Sequence, residues 1–338
     1  MTVLIISLGF LFGLFLQYAK VNTYNSISGM AVLKDFTVAK TIATAIGIGA
    51  IGLSIAIGLG YADFHIKPFL AGAVIIGGLL FGIGMAILGY CPGTLPVSLG
   101  QGSVDALIGI LGGLAASIVY TVLSPTLHGT IGPDMGKIAL SSVVQSGSAG
   151  YYLLAGIIGS GLIAAAFWLQ RIEKKKELNW LVAAAGIAAI ALTIFIVSDR
   201  VLGASTLYPY IADRLTGLTD NDYYIKQVQQ SGFYEMKFLA GAFLSGLVYS
   251  VLKGEFKIRL LHDNWIRMKG SSSAGRIFWA FTGGFLLLFG ARLAGGCTSG
   301  HIISGGIQLA VSSWVFAVFV FTAFLLTGHF FYRNAKQS

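Results

Sequence analysis

Apolar residues along this chain fall into blocks of about twenty, the length a helix needs to cross the hydrocarbon of a bilayer. Strands of a membrane barrel would instead alternate apolar and polar residues over short segments. The blocks predict spans near residues 3–18, 41–61, 69–90, 104–123, 151–169, 181–198, 237–252, 277–296 and 313–331. Two longer apolar stretches are interrupted. Residues 69–123 are broken at Cys91-Pro92-Gly93-Thr94 and again near 100–103, and residues 277–331 at Cys297-Thr298-Ser299-Gly300 and Gly305-Gly306. Irregular backbone at membrane depth is tolerated only where protein or a wet cavity satisfies its amides. The breaks therefore mark the interior, with short re-entrant half-helices beside them.

Composition agrees. Of 338 residues, 56% are hydrophobic and only 10% charged, with 46 glycines, and the mean hydropathy is +0.81. Soluble domains carry about a quarter of their residues charged. The reading is an all-α polytopic membrane protein of nine transmembrane helices, forming a single membrane domain within the lipid bilayer. Met1 to Gln17 has no basic leader or small-residue cleavage site and is expected to stay as a helix. The net charge of +9 sits in short loops, where it sets orientation. No basic stripe or aromatic-interleaved patch points to nucleic acid.

Arg171-Ile172-Glu173-Lys174-Lys175-Lys176 is short and strongly basic, hence cytoplasmic. Counting outward, the 253–276 loop (Lys253, Lys257, Arg259, Arg267, Lys269, Arg276), the 18–40 loop (Lys20, Lys34, Lys40) and the tail with Arg333 and Lys336 also fall inside. The polar 199–236 loop falls outside, as an ordered cap or a lid. The N-terminus is expected outside and the C-terminus in the cytoplasm.

Superimposing Cys91 on Cys297 aligns Gly77 with Gly283, Gly78 with Gly284, Gly84 with Gly290, Gly89 with Gly295, Ser98 with Ser304 and Gly100 with Gly306. The chain thus reads as a first half, 1–123, connecting helices and an outer loop, 124–236, and a second half, 237–338. By the loop count the span ending at Cys91 runs inward and the one ending at Cys297 outward, so the halves are inverted. Inverted repeats with broken helices meeting near the midplane are a common transporter plan. The matched glycines would let the two broken helices approach closely.

Each cysteine is expected at a helix end just before a short new helix, whose free amides favour an anion. Pro92, Gly93, Thr94, Thr298, Ser299, Gly300 and His301 shape the two breaks, and the hydroxyls add donors. Thiols are weak donors and soft, polarisable contacts, which suits a sulfur-bearing ligand. Arg292, inside a span, either supplies positive potential for an anion or pairs with Asp105 or reaches the interface. His301 is a proton relay or a hydrogen-bonding cap, and Gln101 and Gln308 pack or line the path. Two cysteines make no disulfide framework, although the two could pair if they meet. Neither belongs to a CxxC, and only His301 lies near one of them, so no metal and no cofactor is expected.

Gly89-Tyr90-Cys91-Pro92-Gly93-Thr94 and Gly295-Gly296-Cys297-Thr298-Ser299-Gly300-His301 resemble the paired signatures of the YeeE/YedE family of sulfur-transport membrane proteins. The similarity spans nearly the whole chain, including Phe12-Gly13 and Leu16-Gln17. The resemblance implies an hourglass shape, a cysteine-lined constriction, and passage of thiosulfate past Cys91 and Cys297 in an inner (plasma) membrane. A small cytoplasmic sulfur-carrier protein is an implied partner. Many relatives carry a third cysteine where this chain has Val21-Asn22-Thr23, and Asn22 cannot do thiol chemistry. The expected function is uptake of thiosulfate or a related sulfur anion, without enzymatic turnover. Two other readings fit these residues: a membrane thiol oxidoreductase or sulfurtransferase, which would need a thiol of depressed pKa, and a channel for another oxyanion or a selenium compound.

Overall fold

The computed structural model describes residues 1–173 and 177–332. Lys174, Lys175, Lys176, Arg333 and Lys336, which entered the orientation argument, lie outside the described residues. Among the described residues nine apolar helices dominate: α1 (Thr2–Tyr18), α3 (Thr37–Gly58), α4 (Ala71–Leu88), α6 (Val104–Thr130), α8 (Ala149–Glu173), α9 (Asn179–Ser198), α11 (Gln229–Leu252), α13 (Ser273–Leu293) and α15 (Val311–Phe331). Except for the shorter α1, all contain stretches long and apolar enough to cross a membrane. Between them lie the short helices α2 (Tyr24–Ala31), α5 (Thr94–Gly100), α7 (Leu140–Val143), α10 (Leu207–Thr216), α12 (Asp263–Lys269) and α14 (Ser304–Ile307). The chain is an all-α polytopic membrane protein.

Local chemistry sets the ends. Thr23 caps α2 by accepting from Ser26 N, and Ser272 caps α13 by accepting from Gly275 N, each satisfying an amide the helix cannot. Gly89, at φ 79°, stops α4 in the left-handed region where only glycine is unstrained.

The centre is a close crossing of α4 and α13. A Cβ on Gly84 would stand 2.3 Å from Leu287 N, and one on Gly77 would stand 2.7 Å from Gly290 O. Residues 77 and 84 thus meet 290 and 283–287 in reverse order, so the two helices run antiparallel with their backbones in contact. Around this pair, α15 packs on α4 and α6 on α13. A second glycine crossing joins α1 to α11, where a Cβ on Gly9 would stand 1.8 Å from Phe238 O. Helix α8 packs on α3 and leaves Leu153, Ile157 and Trp168 exposed, a surface suited to lipid.

The connections gather on two sides. On one, Leu70 bridges Asp134 and Ala139 bridges Ala310, and His65 bonds Asp199. On the other, Ser103 bridges Arg259, Asn25 bonds Asp263 and Asn264, and Tyr24 bonds Tyr332.

Three expectations need correction. The 199–236 segment is not a loop. It holds α10, a π-wound stretch Tyr224–Val228 and the start of α11, because Tyr208, Tyr210, Tyr223 and Tyr224 bury their rings against the bundle. The 18–40 and 253–276 connections contain α2 and α12, and two of their cations are buried. Lys40 lies in α3 paired with Glu173 at 2.5 Å, and Arg276 lies in the first turn of α13 with no exposed surface. Finally, α13 ends at Leu293 rather than 296, and α6 continues past 123.

The Gly9 contact gives a stability test. Gly9→Ala should lower the melting temperature of the detergent-solubilised protein, by the ~1–3 kcal/mol of an overpacked core. Gly156→Ala, whose Cβ would meet nothing within 4 Å, should not. Equal melting of the two variants would mean that α1 and α11 do not cross here.

Candidate functional site

Breaking α4 and α13 inside the bundle leaves carbonyls at their C-terminal ends without helical partners. At the first break, Arg276 satisfies them. Its Nη1 donates to Ile87 O (3.2 Å) and its Nη2 to Leu88 O (2.7 Å). Asp105, fully buried, holds the guanidinium at 2.5 Å. Asp105 also accepts from Tyr90 OH (3.2 Å) and contacts His262 Nε2 (3.1 Å), and the guanidinium lies 4.4 Å over the Tyr24 ring. A cation at a helix C-terminus is where the helix dipole favours it.

Beyond Gly89 the chain turns through Tyr90 to Gly93 into α5. Thr94 folds the turn on itself: its Oγ1 accepts from Cys91 N (2.9 Å) and donates to Cys91 O (3.0 Å). Tyr208 OH reaches in to donate to Pro92 O (2.9 Å).

At the second break the caps differ. His301 Nε2 bonds Ala294 O (2.8 Å), a carbonyl that can only accept, so this nitrogen carries the proton and Nδ1 accepts from Ser313 Oγ (3.0 Å). The ring stacks on Phe316 at 4.8 Å. With both nitrogens engaged, His301 is a capping group, one of the two roles its sequence position allowed. Lys67 Nζ donates to Gly295 O. After Cys297 the chain is π-wound from Thr298 to Ile303, where a short α-helix was expected, and α14 follows. His301 N donates to Cys297 O at 2.7 Å, the first bond of that segment.

The two breaks meet at a mostly apolar cavity of about 50 Å³, lined by Cys91, Gly93 and Thr94 from one and by Thr298, Ser299 and Ile303 from the other, with Phe12, Leu16 and Met85 among its walls. Cys297 sits behind this wall, buried, its Sγ 3.3 Å from Ser299 Oγ. Both thiols are free and lie within electrostatic reach of each other. Thr298 Oγ1 is buried without a hydrogen-bond partner among the described residues.

Asn22 stands at the far end of α5 in a chain of amides. Its Nδ2 donates to Gln101 Oε1 (2.8 Å), Gln101 Nε2 to Gln17 Oε1 (2.9 Å), and Gln17 Nε2 to Ser245 Oγ (3.1 Å). Among the described residues Asn22 Oδ1 has no hydrogen-bond partner. These amides, with Ser98, Tyr90 and His262, line a vestibule of about 590 Å³. On the opposite side a cavity of about 420 Å³ is lined by His65, Asp199, Arg200, Tyr234 and Glu235.

Arg292 does not pair with Asp105, which Arg276 occupies. It is buried, with Nε donating to Tyr223 OH (2.6 Å) and Nη1 to Thr206 Oγ1 (3.1 Å) and Ser205 Oγ (3.3 Å). Those partners come from the folded 199–236 segment, which is why the sequence did not pair them. Nearby Glu235 accepts from Thr206 N (2.5 Å) and Leu207 N (3.1 Å), capping α10. Gly300 borders Lys67 Nζ rather than the cavity. Sequence reasoning missed Lys67, Tyr208 and Gln17, and it took Arg276 for a loop charge. Only Gln17 carried a signal, an amide at the end of an apolar block. Among the described residues no cluster of His, Cys, Asp or Glu could hold a metal.

Residues 19–326 match the family described as Sulphur transport. The chain is similar to a Spirochaeta thermophila protein named Thiosulfate transporter TsuA, with 24% identity over 330 residues covering 92% of this chain and 93% of that one. It is also similar to an Escherichia coli protein of the same name, with 21% identity over 343 residues covering 92% and 89%.

The Arg276–Asp105 pair makes a sharp mutational prediction. Arg276→Met strips the buried Asp105 of its guanidinium, leaves the Ile87 and Leu88 carbonyls without their donor and should cost about 3–5 kcal/mol, read as loss of folded protein in detergent. Adding Asp105→Leu should recover a large part of that. A double variant no better than the single would mean that capping of α4, not pairing with Asp105, is what Arg276 supplies.

Proposed function

The chain belongs to the sulphur-transport family, and on that premise we propose that it takes up thiosulfate or a closely related sulfur anion across a bacterial-type inner membrane. The observation that carries this reading is the small cavity where Cys91 and Thr94 of one break face Thr298 and Ser299 of the other. An anion passing there exchanges water for thiol and hydroxyl donors and for apolar walls. A hard, strongly hydrated oxyanion loses more in that exchange than one whose charge is shared with a polarisable sulfur. Thr298 Oγ1, buried without a protein partner, has a hydrogen bond to offer a passing ligand.

The path we propose runs from the cavity beside Glu235, past Arg292 and Cys297, through the small cavity at Cys91, and out along Asn22 and Gln101 into the large vestibule. The segments 1–123 and 237–338 act as inverted halves, an arrangement supported by the antiparallel crossing of α4 and α13. The N-terminus then lies outside and the vestibule opens to the cytoplasm, where a small sulfur-carrier protein would receive the anion. Asn22 gives this exit an amide rather than a thiol, so the anion is passed by hydrogen bonding. Transport by this route makes and breaks no covalent bond. Moving a dianion inward against 100 mV costs about 4.6 kcal/mol, at about 2.3 per charge, so uptake is drawn by consumption inside the cell or by a coupled ion.

Uptake of sulfur-labelled thiosulfate, in cells lacking other sulfate and thiosulfate importers, tests the reading. At matched membrane expression Cys91→Ala should reduce uptake by at least about tenfold, roughly one charge-assisted hydrogen bond. Cys297→Ser should impair it less. Wild-type rates in both variants would remove the thiols from the path.

A further inference from the structure

The connection between α3 and α4 is laid along the second break. His65 N donates to Gln308 Oε1 (2.6 Å), Gln308 Nε2 donates to His65 O (3.4 Å), and Ser312 Oγ donates to Lys67 O (3.4 Å). Pro68 follows and favours extended backbone at Lys67. Strapped in this way, the lysine directs its side chain into the break. Its Nζ donates to Gly295 O, and a Cβ on Gly296 would stand 2.5 Å from that nitrogen and one on Gly300 3.5 Å. The ammonium therefore lies against bare backbone on both sides of Cys297 in sequence, with no side chain at 296 or 300 to screen it.

Its electrostatic neighbours border two cavities. Glu235, which lines the 420 Å³ cavity, and Cys297, behind the 50 Å³ one, are both within electrostatic reach of Lys67, as are Arg292 and His301. The Glu235 carboxyl is engaged by the amides of α10. Among the described residues Arg292 is hydrogen-bonded to hydroxyls alone, which leaves its charge to act on the surroundings. An ammonium has three donors, so Lys67 can keep the Gly295 carbonyl and still bind an anion.

We propose that Lys67 is an anion-binding station on this path: with Arg292 behind it, its ammonium takes a small divalent oxyanion of the thiosulfate class from the cavity beside Glu235 and delivers it to the Cys297–Ser299 turn. This deepens, and rests on, the reading of the chain as a thiosulfate carrier. The unpartnered Thr298 Oγ1 is the next donor along the same turn. Burial pushes the pKa of Lys67 down to about 8, against the opposing pull of Cys297. The station is charged at neutral pH and loses its charge as pH rises through that value. Arg292 stays charged throughout, and His65, on the same strap, is paired with Asp199 at 2.8 Å.

The test is labelled-thiosulfate uptake by proteoliposomes at pH 7 and pH 9 for wild type, Lys67→Gln and Lys67→Arg. In wild type the half-saturating concentration should rise about tenfold between the two pH values, one charge-assisted contact. Lys67→Gln should show the raised value at both, and Lys67→Arg should keep the affinity at pH 9. A lower maximal rate in Lys67→Gln, with unchanged half-saturation and pH profile, would reduce Lys67 to a cap on α13 and overturn the proposal. A second measurement does not depend on transport: the acetylation rate of Lys67 by acetic anhydride, read by peptide mass spectrometry, in thiosulfate or in chloride. Several-fold protection by thiosulfate supports the station even if wild type carries none, which would sink the carrier reading alone. Equal rates sink the station.

Discussion

Everything at the centre of this protein follows from one constraint: a helix that stops inside a membrane leaves carbonyls that neither water nor lipid can satisfy there. The molecule stops two helices in this way and meets the cost with side chains. Arg276 covers Ile87 and Leu88 and Tyr332 covers Ala86, while His301 covers Ala294 and Lys67 covers Gly295. Arg276 and Lys67 are cations, which also suits the negative end of the helix dipole. Capping the breaks therefore brings positive charge to the path proposed for the anion.

The surrounding packing serves that centre. The glycine contacts between α4 and α13 bring two backbones together with no side chain between them, which fixes the distance between the breaks. Residues 199–236 close one side, with Tyr208 on Pro92 and Tyr223 on Arg292. The amide chain from Asn22 to Gln17 closes the other. Donors of different kinds thus line successive stretches: charged and hydroxyl groups on one side, thiols and hydroxyls in the middle, amides on the other.

Much of this was legible in the sequence, for physical reasons. Span length is dictated by bilayer thickness, so the apolar blocks announced the helices, although α6 runs on past 123 to Thr130 and α11 begins at Gln229, well before 237. The two breaks were visible because Cys91-Pro92-Gly93-Thr94 and the run after Cys297 interrupt those blocks. Partnerships between distant segments were not. Arg276 looked like one more loop cation until the fold placed it between Asp105 and the end of α4. For Arg292 the sequence leaves open an anion, the interface and Asp105, because nothing marks Ser205, Thr206 and Tyr223 as its partners. The 199–236 segment looked like a loop because its buried surface is mostly tyrosine, half polar by composition. The π-winding after Cys297 is set by how the turn packs, and no residue spacing announces it.

The caps are also exchanged. Arg276, from the C-terminal third of the chain, closes a helix of the first third, and Lys67, from the first third, helps to close a helix of the last. Each break is thus closed by a residue from the far end of the chain. Such an interlock makes the two breaks a single cooperative unit, because either one alone would leave its carbonyls bare. A change that loosens one cap is felt at the opposite end of the chain, so the loops are free to drift but the residues lent across are not.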